Sequence, residues 1–340
     1  MTGKESTLLK DKKEMKTPIL LHAKNIKKYF PIKGGILKRT IGQLKAVDDI
    51  SFHVYKGETL GVVGESGSGK STLGRVLLRL LDPTEGQIIF NSVDITTMNN
   101  RGIRPFRKDM QIIFQDPFAS LNSKMSVQEL IEEPLIIQQQ LPKSERRKRV
   151  IDMLEKVGLR ASDRLKYPQE FSGGQRQRIS IARALIMEPK FVICDEPVSA
   201  LDVSIQSQVL NLMKDLQDDL GLTYLFIAHD LSVIKHISDR VAVMYLGRFV
   251  ELTSKDKIYK NPLHPYTQAL LSAVPVIGVD DEKPEREKII LKGDLPNPAD
   301  PPSGCAFRTR CPHAFDRCTV ERPDLVELEP DHLVACHLYS

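Results

Sequence analysis

The stretch Gly64-Glu65-Ser66-Gly67-Ser68-Gly69-Lys70-Ser71, followed by Thr72, restricts what this chain can become more than any other part of it. The apolar run Leu60–Val63 before it predicts a buried strand, and Thr72–Leu81 after it predicts a helix. A glycine-rich turn between such elements is the setting in which this pattern binds phosphate. Gly64, Gly67 and Gly69 let the backbone curl, so that successive N–H groups along Ser66, Ser68 and Lys70 point into one concavity at a helix N-terminus. Lys70 then reaches the terminal phosphates of a nucleotide, and the Ser71 hydroxyl is placed for Mg²⁺.

Composition adds limits. A chain of 340 residues, 41% hydrophobic and 27% charged, can bury a large core and is long enough for more than one domain. Its 49 basic and 44 acidic residues give a net charge of +5, too mild an excess to require a nucleic-acid partner. No apolar run approaches the ~18 residues that span a bilayer. Residues 1–18 alternate lysine with polar groups, lack the apolar segment of a signal peptide and read as a flexible tail. The expected location is cytosolic, with any membrane attachment made through a partner.

Beyond the tail, Ile19–Tyr29, Leu44–Val54 and Gly86–Phe90 predict strands of a small antiparallel sheet. Arg107–Phe114 predicts another strand. Asp116–Glu170 then turns helical, with candidates at Val127–Gln140 and Glu145–Val157; in the second, Val150, Met153, Leu154 and Val157 share one face. A helix is expected at Arg176–Met187, a strand at Phe191–Cys194, a helix at Ser204–Leu220, a strand at Thr223–Ala228 and a short helix at Leu231–Ile237. Strands at Arg240–Tyr245 and Arg248–Leu252 follow. This alternation predicts an α/β fold with a parallel sheet covered by helices. Residues 253–340, rich in proline and charge, read as a separate extension.

The apolar strand before Asp195-Glu196 puts both carboxylates at the C-terminal edge of the sheet, where α/β folds bind ligands. Asp195 is placed to hold Mg²⁺ and Glu196 to polarise an attacking water. An acidic pair at a strand end is commonly only a solvated turn, and the phosphate loop is what favours function here. His229 sits just past the next buried strand, at the same edge. Ser172-Gly173-Gly174-Gln175 opens a helix and forms a second anion cradle, or else a simple N-cap. Two cradles in one chain are most simply used in a dimer that sandwiches each nucleotide between the phosphate loop of one subunit and the Ser-Gly-Gly of the other.

Taken in order, the phosphate loop, Gln115, Phe171-Ser172-Gly173-Gly174-Gln175, Asp195-Glu196, Ser199-Ala200-Leu201-Asp202 and His229 resemble the ATPase subunits of ABC transporters. The resemblance spans about residues 21–252. It implies a P-loop NTPase core of RecA type with an antiparallel β subdomain and a helical subdomain at about residues 116–175. It further implies that Tyr29 stacks on adenine, and that Gln115 joins the Mg²⁺ site to the transmembrane partner. Ser172–Gln175 would contact the ATP of the facing subunit. Glu196 is the implied general base, Asp202 a contact across the dimer and His229 the sensor of the γ-phosphate. Phe171 departs from the commoner leucine. Within the family, His264-Pro265-Tyr266-Thr267-Gln268-Ala269-Leu270-Leu271, Gly293-Asp294-Leu295-Pro296 and Pro301-Pro302-Ser303-Gly304-Cys305 resemble the oligopeptide/dipeptide importers, a branch that also serves nickel uptake. That implies a second, related ATPase subunit, two transmembrane permease subunits, an extracytoplasmic peptide-binding protein, and a place on the cytoplasmic face of the membrane. Two other classes fit the same motifs: a soluble ABC ATPase without a transport role, and a non-enzymatic iron–sulfur or zinc sensor that uses nucleotide only as a ligand, against which Glu196 and His229 speak.

Cys305, Cys311, Cys318 and Cys336 are spaced by five, six and seventeen residues. Four thiolates suit a [4Fe–4S] cluster or a tetrahedral Zn²⁺. The paired Cys-x-x-Cys knuckles of zinc ribbons are missing, Cys311-Pro312 echoes ferredoxin-like runs, and the related importers imply an iron–sulfur cluster. Cys194, inside an apolar strand, reads as a small core residue.

Overall fold

The computed structural model describes residues 17–34, 39–139, 141–273 and 289–339. The tail expected over residues 1–18 lies outside the described residues except for its last two. In chain order the strands are β1 (Ile19–Gly34), β2 (Arg39–Tyr55), β3 (Thr59–Val63), β4 (Glu85–Phe90), β5 (Val93–Asp94), β6 (Met110–Ile113), β7 (Phe191–Asp195), β8 (Thr223–Ala228), β9 (Arg240–Tyr245), β10 (Arg248–Ser254), β11 (Val326–Glu329) and β12 (His332–Val334).

Two sheets result. One is antiparallel in the order β2-β1-β4-β5; the other runs β11-β12-β10-β9-β3-β8-β7-β6. In the larger sheet β9, β3, β8, β7 and β6 are parallel, and β10, β12 and β11 continue it antiparallel. Strands β3, β7 and β8 are buried along their whole length, which is why they read as continuous apolar runs without polar alternation. Their side chains alternate between two cores. Phe191, Ile193, Leu225 and Ile227 pack toward the antiparallel sheet, whereas Val192, Cys194, Tyr224 and Phe226 pack toward the helices on the other face. Burial of each such side chain contributes about 1.5–3 kcal/mol.

Register fixes the functional edge. Val63 lies opposite Ala228, Ile227 opposite Asp195, and Ile113 opposite Cys194. Because these strands are parallel, the residues that follow them emerge together: the phosphate loop, Glu196, His229 and Gln115.

Between β6 and β7 the chain forms helices at Val127–Gln138, Lys143–Lys156 and Gly173–Leu185. A capping box between Ser126 and Glu129 starts the first. Val150, Met153, Leu154 and Val157 are all buried, as their spacing required.

Two expected elements are shorter in the structure. The helix after the phosphate loop covers Lys70–Leu77 and stops because Arg79 takes a left-handed backbone, φ 53°. The Arg79 guanidinium is held there by the carbonyls of Ile95 and Met98. The strand expected from Arg107 begins at Met110, since Arg104–Lys108 forms a 3₁₀ turn whose Arg107 donates to the carbonyls of Leu78 and Arg79.

The C-terminal part is fastened to the same sheet. Strand β12 pairs with β10, and Glu251 of β10 is completely buried. Its carboxylate accepts from the backbone N–H groups of Leu263 and His264, each at 2.9 Å, and lies 2.8 Å from His332 Nε2. These contacts satisfy a carboxylate that would be costly to bury alone. They dock the helix Pro265–Ser272 against the core.

Candidate active site

The phosphate loop follows β3 and closes on itself. Gly64 and Gly69 leave no room for a side chain: a Cβ at Gly64 would lie 2.1 Å from the Met244 carbonyl oxygen, and one at Gly69 2.0 Å from that of Ala46. Gly69, at φ 102°, is also the N-cap of the following helix, a conformation that glycine adopts freely. Lys70 is buried and donates to the carbonyls of Gly64 at 2.8 Å and Glu65 at 2.9 Å. Burial pulls its pKa below the usual lysine value, opposed by the charges of Glu196, Asp195 and Glu65.

Across the sheet edge, the Ser71 hydroxyl donates to Asp195 Oδ1 at 2.7 Å. Burial raises the Asp195 carboxyl above the usual range, against the Ser71 hydrogen bond and the charges of Arg75 and Lys70. Glu196 stands next to it with a left-handed backbone, φ 49°, a conformation that costs a non-glycine residue energy. Gln115 Nε2 donates to Glu196 Oε2 at 3.0 Å, and His229 Nδ1 lies 3.1 Å from the same oxygen. Gln115, Glu196 and His229 are thus gathered around one carboxylate.

These groups line a cavity of about 700 Å³ together with Ser66, Gly67, Gly69, Lys70, Ser71, Thr72, Lys45 and Ala46. A hydroxyl, a carboxylate and the amide oxygen left free on Gln115 form a hard oxygen donor set that fits Mg²⁺. Ser68 does not line the cavity; it is buried beneath the loop, with its N–H donating to the Glu65 carbonyl.

The aromatic wall differs from expectation. Phe30, not Tyr29, lines the cavity. The Tyr29 hydroxyl donates to Asp48 Oδ1 at 2.5 Å, which engages the ring away from the cavity. Neighbouring residues of a strand point to opposite faces, so a shift of one position exchanges the two rings. The dipeptide Tyr29-Phe30 announced an aromatic at this wall; only the register of β1 against β2 tells which one faces it.

Ser172–Gln175 lies apart from this cavity. Ser172 caps the helix Gly173–Leu185: its Oγ accepts from the Gln175 N–H, and its own N–H donates to Gln175 Oε1 at 3.0 Å. Gly174 is held close to Ile205, whose side chain a Cβ would meet at 2.6 Å, and Gly173 opens the same turn. Asp202 is exposed at the N-terminus of the helix Val203–Leu220 and makes no capping bond there. Phe171 is buried, its ring beneath the Lys166 ammonium.

Residues 47–199 match the family model described as ABC transporter, and residues 250–318 match the one described as oligopeptide/dipeptide transporter, C-terminal region. The chain is 56% identical over 322 residues to the oligopeptide transport ATP-binding protein AppF of Bacillus subtilis, covering 94% of this chain and 98% of that protein. The chain belongs to the ATP-binding subunits of ABC transporters. It is also 54% identical over 303 residues to the putative oligopeptide transport ATP-binding protein YkfD of Bacillus subtilis, covering 89% of this chain and 91% of YkfD.

Among solved structures, the cbiO1 cassette of Clostridium perfringens, part of an ABC transporter complex, is similar at 30% identity and a TM-score of 0.62, over 72% of this chain and 91% of that one. The dimeric post-hydrolysis cassette MJ0796, bound to ADP and Pi, is similar at 27% identity and a TM-score of 0.61, over 69% of this chain and 99% of its own. The fold is therefore the P-loop ATPase cassette and the chemistry is hydrolysis of ATP. No helix among the described residues is long and apolar enough to cross a membrane.

In this ABC ATPase the four C-terminal cysteines are free thiols. The Cys305 N–H donates to the Cys318 carbonyl at 2.9 Å, and the His313 N–H to Cys311 Sγ at 3.4 Å. Burial raises the thiols of Cys305 and Cys311, and pushes Cys336 up to about 11; the charge of Cys318 adds to all three, that of Cys311 to Cys305 and Cys336, and that of Cys305 to Cys336. Among the described residues, no three Cys, His, Asp or Glu side chains are drawn close enough to hold an ion. Backbone N–H donors aimed at sulfur and the mutual electrostatic influence of the thiols suit a thiolate-bound group, while their separation is wider than a ligated set. Cys194 is buried in β7, where desolvation raises its thiol far above the ordinary range.

Proposed function

We propose that this ATPase drives import of oligopeptides or dipeptides from the cytoplasmic face of the cell membrane, with residues 19–252 as its ATPase domain and 253–340 as an extension. The observation that carries the reading is the position of Ser172–Gln175, outside a cavity that already holds the phosphate loop, Gln115, Glu196 and His229. Such a chain has half of two sites. A second, related ATPase subunit supplies the other halves, so that ATP binding closes the pair and hydrolysis reopens it. Two permease subunits receive the motion, Gln115 lying at the base of the helical subdomain, and an extracytoplasmic binding protein delivers peptide. The relatives named for oligopeptide transport support the substrate class.

In the site, Lys70 leaves the carbonyls of Gly64 and Glu65 to meet the β- and γ-phosphates. Ser71, Gln115 and Asp195 hold Mg²⁺, which supplies Lewis-acid neutralisation of the phosphates. Glu196 orients and deprotonates the attacking water, and His229 reaches the γ-phosphate from the neighbouring strand. Phe30 stacks on the base in place of Tyr29. Ser172, Gly173, Gly174 and Gln175 meet the nucleotide of the facing subunit, and Asp202 lies at that contact.

The four cysteines hold a [4Fe–4S] cluster in this reading, with Zn²⁺ as the other metal such thiolates take. Ligation would draw the thiols together from their present separation. The cluster reading is abandoned if anaerobically purified protein lacks iron and absorbance near about 400 nm. Transport is tested by reconstituting the chain with its neighbouring membrane and binding subunits in vesicles and following ATP-dependent uptake of a labelled peptide. ATP turnover without uptake of peptides of any length refutes the import assignment.

A further inference from the structure

Glu65, the second residue of the phosphate loop, is held by the C-terminal extension at two points. Its backbone N–H donates to the Tyr266 hydroxyl at 2.9 Å, and its carboxylate receives Arg310 Nη1 on both oxygens, at 2.9 and 3.0 Å. Its carbonyl is one of the two that Lys70 rests on in this structure. One residue of the loop therefore joins the nucleotide-binding lysine to groups 201 and 245 positions away in sequence.

Both partners are rigidly placed. Tyr266 is fully buried and packs edge-on against Tyr245, with ring centres 4.8 Å apart. Arg310 projects from the turn between Cys305 and Cys311, where its N–H donates to the Phe307 carbonyl at 2.9 Å. Phe307 itself packs on Tyr245 and Tyr266. The Arg310 side chain is only 9% exposed and that of Glu65 28%, so water screens this pair poorly.

We infer that Arg310 and Tyr266 are positioning residues of the ATP site, which fix the phosphate loop through Glu65 and cancel a carboxylate that would otherwise repel the phosphates of the nucleotide. The charge is close enough to act there, since the Glu65 carboxylate already bears on Lys70. The same extension reaches over the loop, with Leu295 beside Gly67 and Pro298 in the cavity wall. The extension thereby belongs to the ATP site, and the phosphate loop of this chain is complete only with it.

The test is a double-mutant cycle on the full-length chain, read as the Kd for ADP with Mg²⁺, a ligand that probes the phosphate loop without turnover. Arg310→Gln is expected to weaken binding about ten-fold, because it leaves the Glu65 carboxylate unpaired beside the phosphates. Adding Glu65→Gln removes that charge and should return the Kd to within about three-fold of the wild type. Tyr266→Phe keeps the ring packing, removes only the acceptor of the Glu65 N–H, and should weaken binding about three-fold at a temperature where the variant is still fully folded, beside a lowered melting temperature from the lost hydrogen bond. An unchanged Kd in Arg310→Gln overturns the inference, as does a double variant no better than Arg310→Gln alone. If Arg310→Gln does not fold, Arg310→Lys with and without Glu65→Gln serves the same cycle, and additive effects there overturn it.

Discussion

Ser71 and Asp195, 124 positions apart in sequence, are joined by a 2.7 Å hydrogen bond from the hydroxyl to the carboxylate. The bond ties the first turn of the phosphate-loop helix to the end of β7, so the two oxygens proposed to hold Mg²⁺ are set beside each other by the fold itself. Asp195→Asn keeps the shape and a hydrogen-bond acceptor but removes the negative charge. It should raise the Mg²⁺ concentration that half-saturates ATP hydrolysis by about ten-fold or more. Titration of turnover with Mg²⁺ at fixed ATP checks this, and chelation of the metal should abolish turnover in both proteins.

Glu196 is the shared partner of Gln115 and His229 and, among the described residues, the one carboxylate that lines the cavity. Glu196→Gln retains its size and its capacity to bond Gln115, so ATP should still bind. Hydrolysis should fall by about 10²–10⁴-fold, the usual worth of a positioned general base. Nucleotide binding and single-turnover hydrolysis, measured separately, test both halves of this expectation.

The two adjacent rings separate an effect on affinity from an effect on stability. Phe30→Ala removes a cavity wall and should weaken ATP about ten-fold, in line with about 1–3 kcal/mol for a stacked base. Tyr29→Phe removes a hydrogen bond to Asp48 instead. It should lower stability by about 1 kcal/mol and leave nucleotide affinity within about two-fold. An unchanged ATP affinity in Phe30→Ala would return the adenine contact to Tyr29.

The contrast between these two rings shows what the sequence could and could not convey. Buried strands such as Phe191–Asp195 and Thr223–Ala228 were legible because an uninterrupted apolar run has few alternatives, and the residues proposed for catalysis follow directly from where those strands end. Tyr29 and Phe30 lie instead in a strand with several register shifts, where no local pattern says which neighbour faces inward. The turn at Arg79 was hidden for a related reason: its guanidinium is held by carbonyls of Ile95 and Met98, partners that no helical periodicity encodes. The pairing of β12 with β10, which joins the extension to the sheet, depends on the buried Glu251–His332 contact across 81 positions. A glutamate in sequence looks like surface, and only its partners make it core.

His264 offers a test of how the extension is held. It is completely buried and caps the helix Pro265–Ser272 with Nδ1, which accepts from the Tyr266 N–H at 3.0 Å. Burial lowers its pKa from 6.5 to about 4, opposed by the charge of Glu251. The unfolded chain therefore binds a proton at this residue as pH falls through 6.5, while the folded chain does not until about 4. Stability must then be greatest above pH 6.5 and decline between 6.5 and 4, by up to about 3 kcal/mol, because protonation would take the lone pair that caps the helix. His264→Asn can cap the same helix without titrating. Melting curves between pH 7.5 and 4.5 should show a steeper acid loss in the wild type than in this variant, and parallel curves would mean that other groups govern the acid limb.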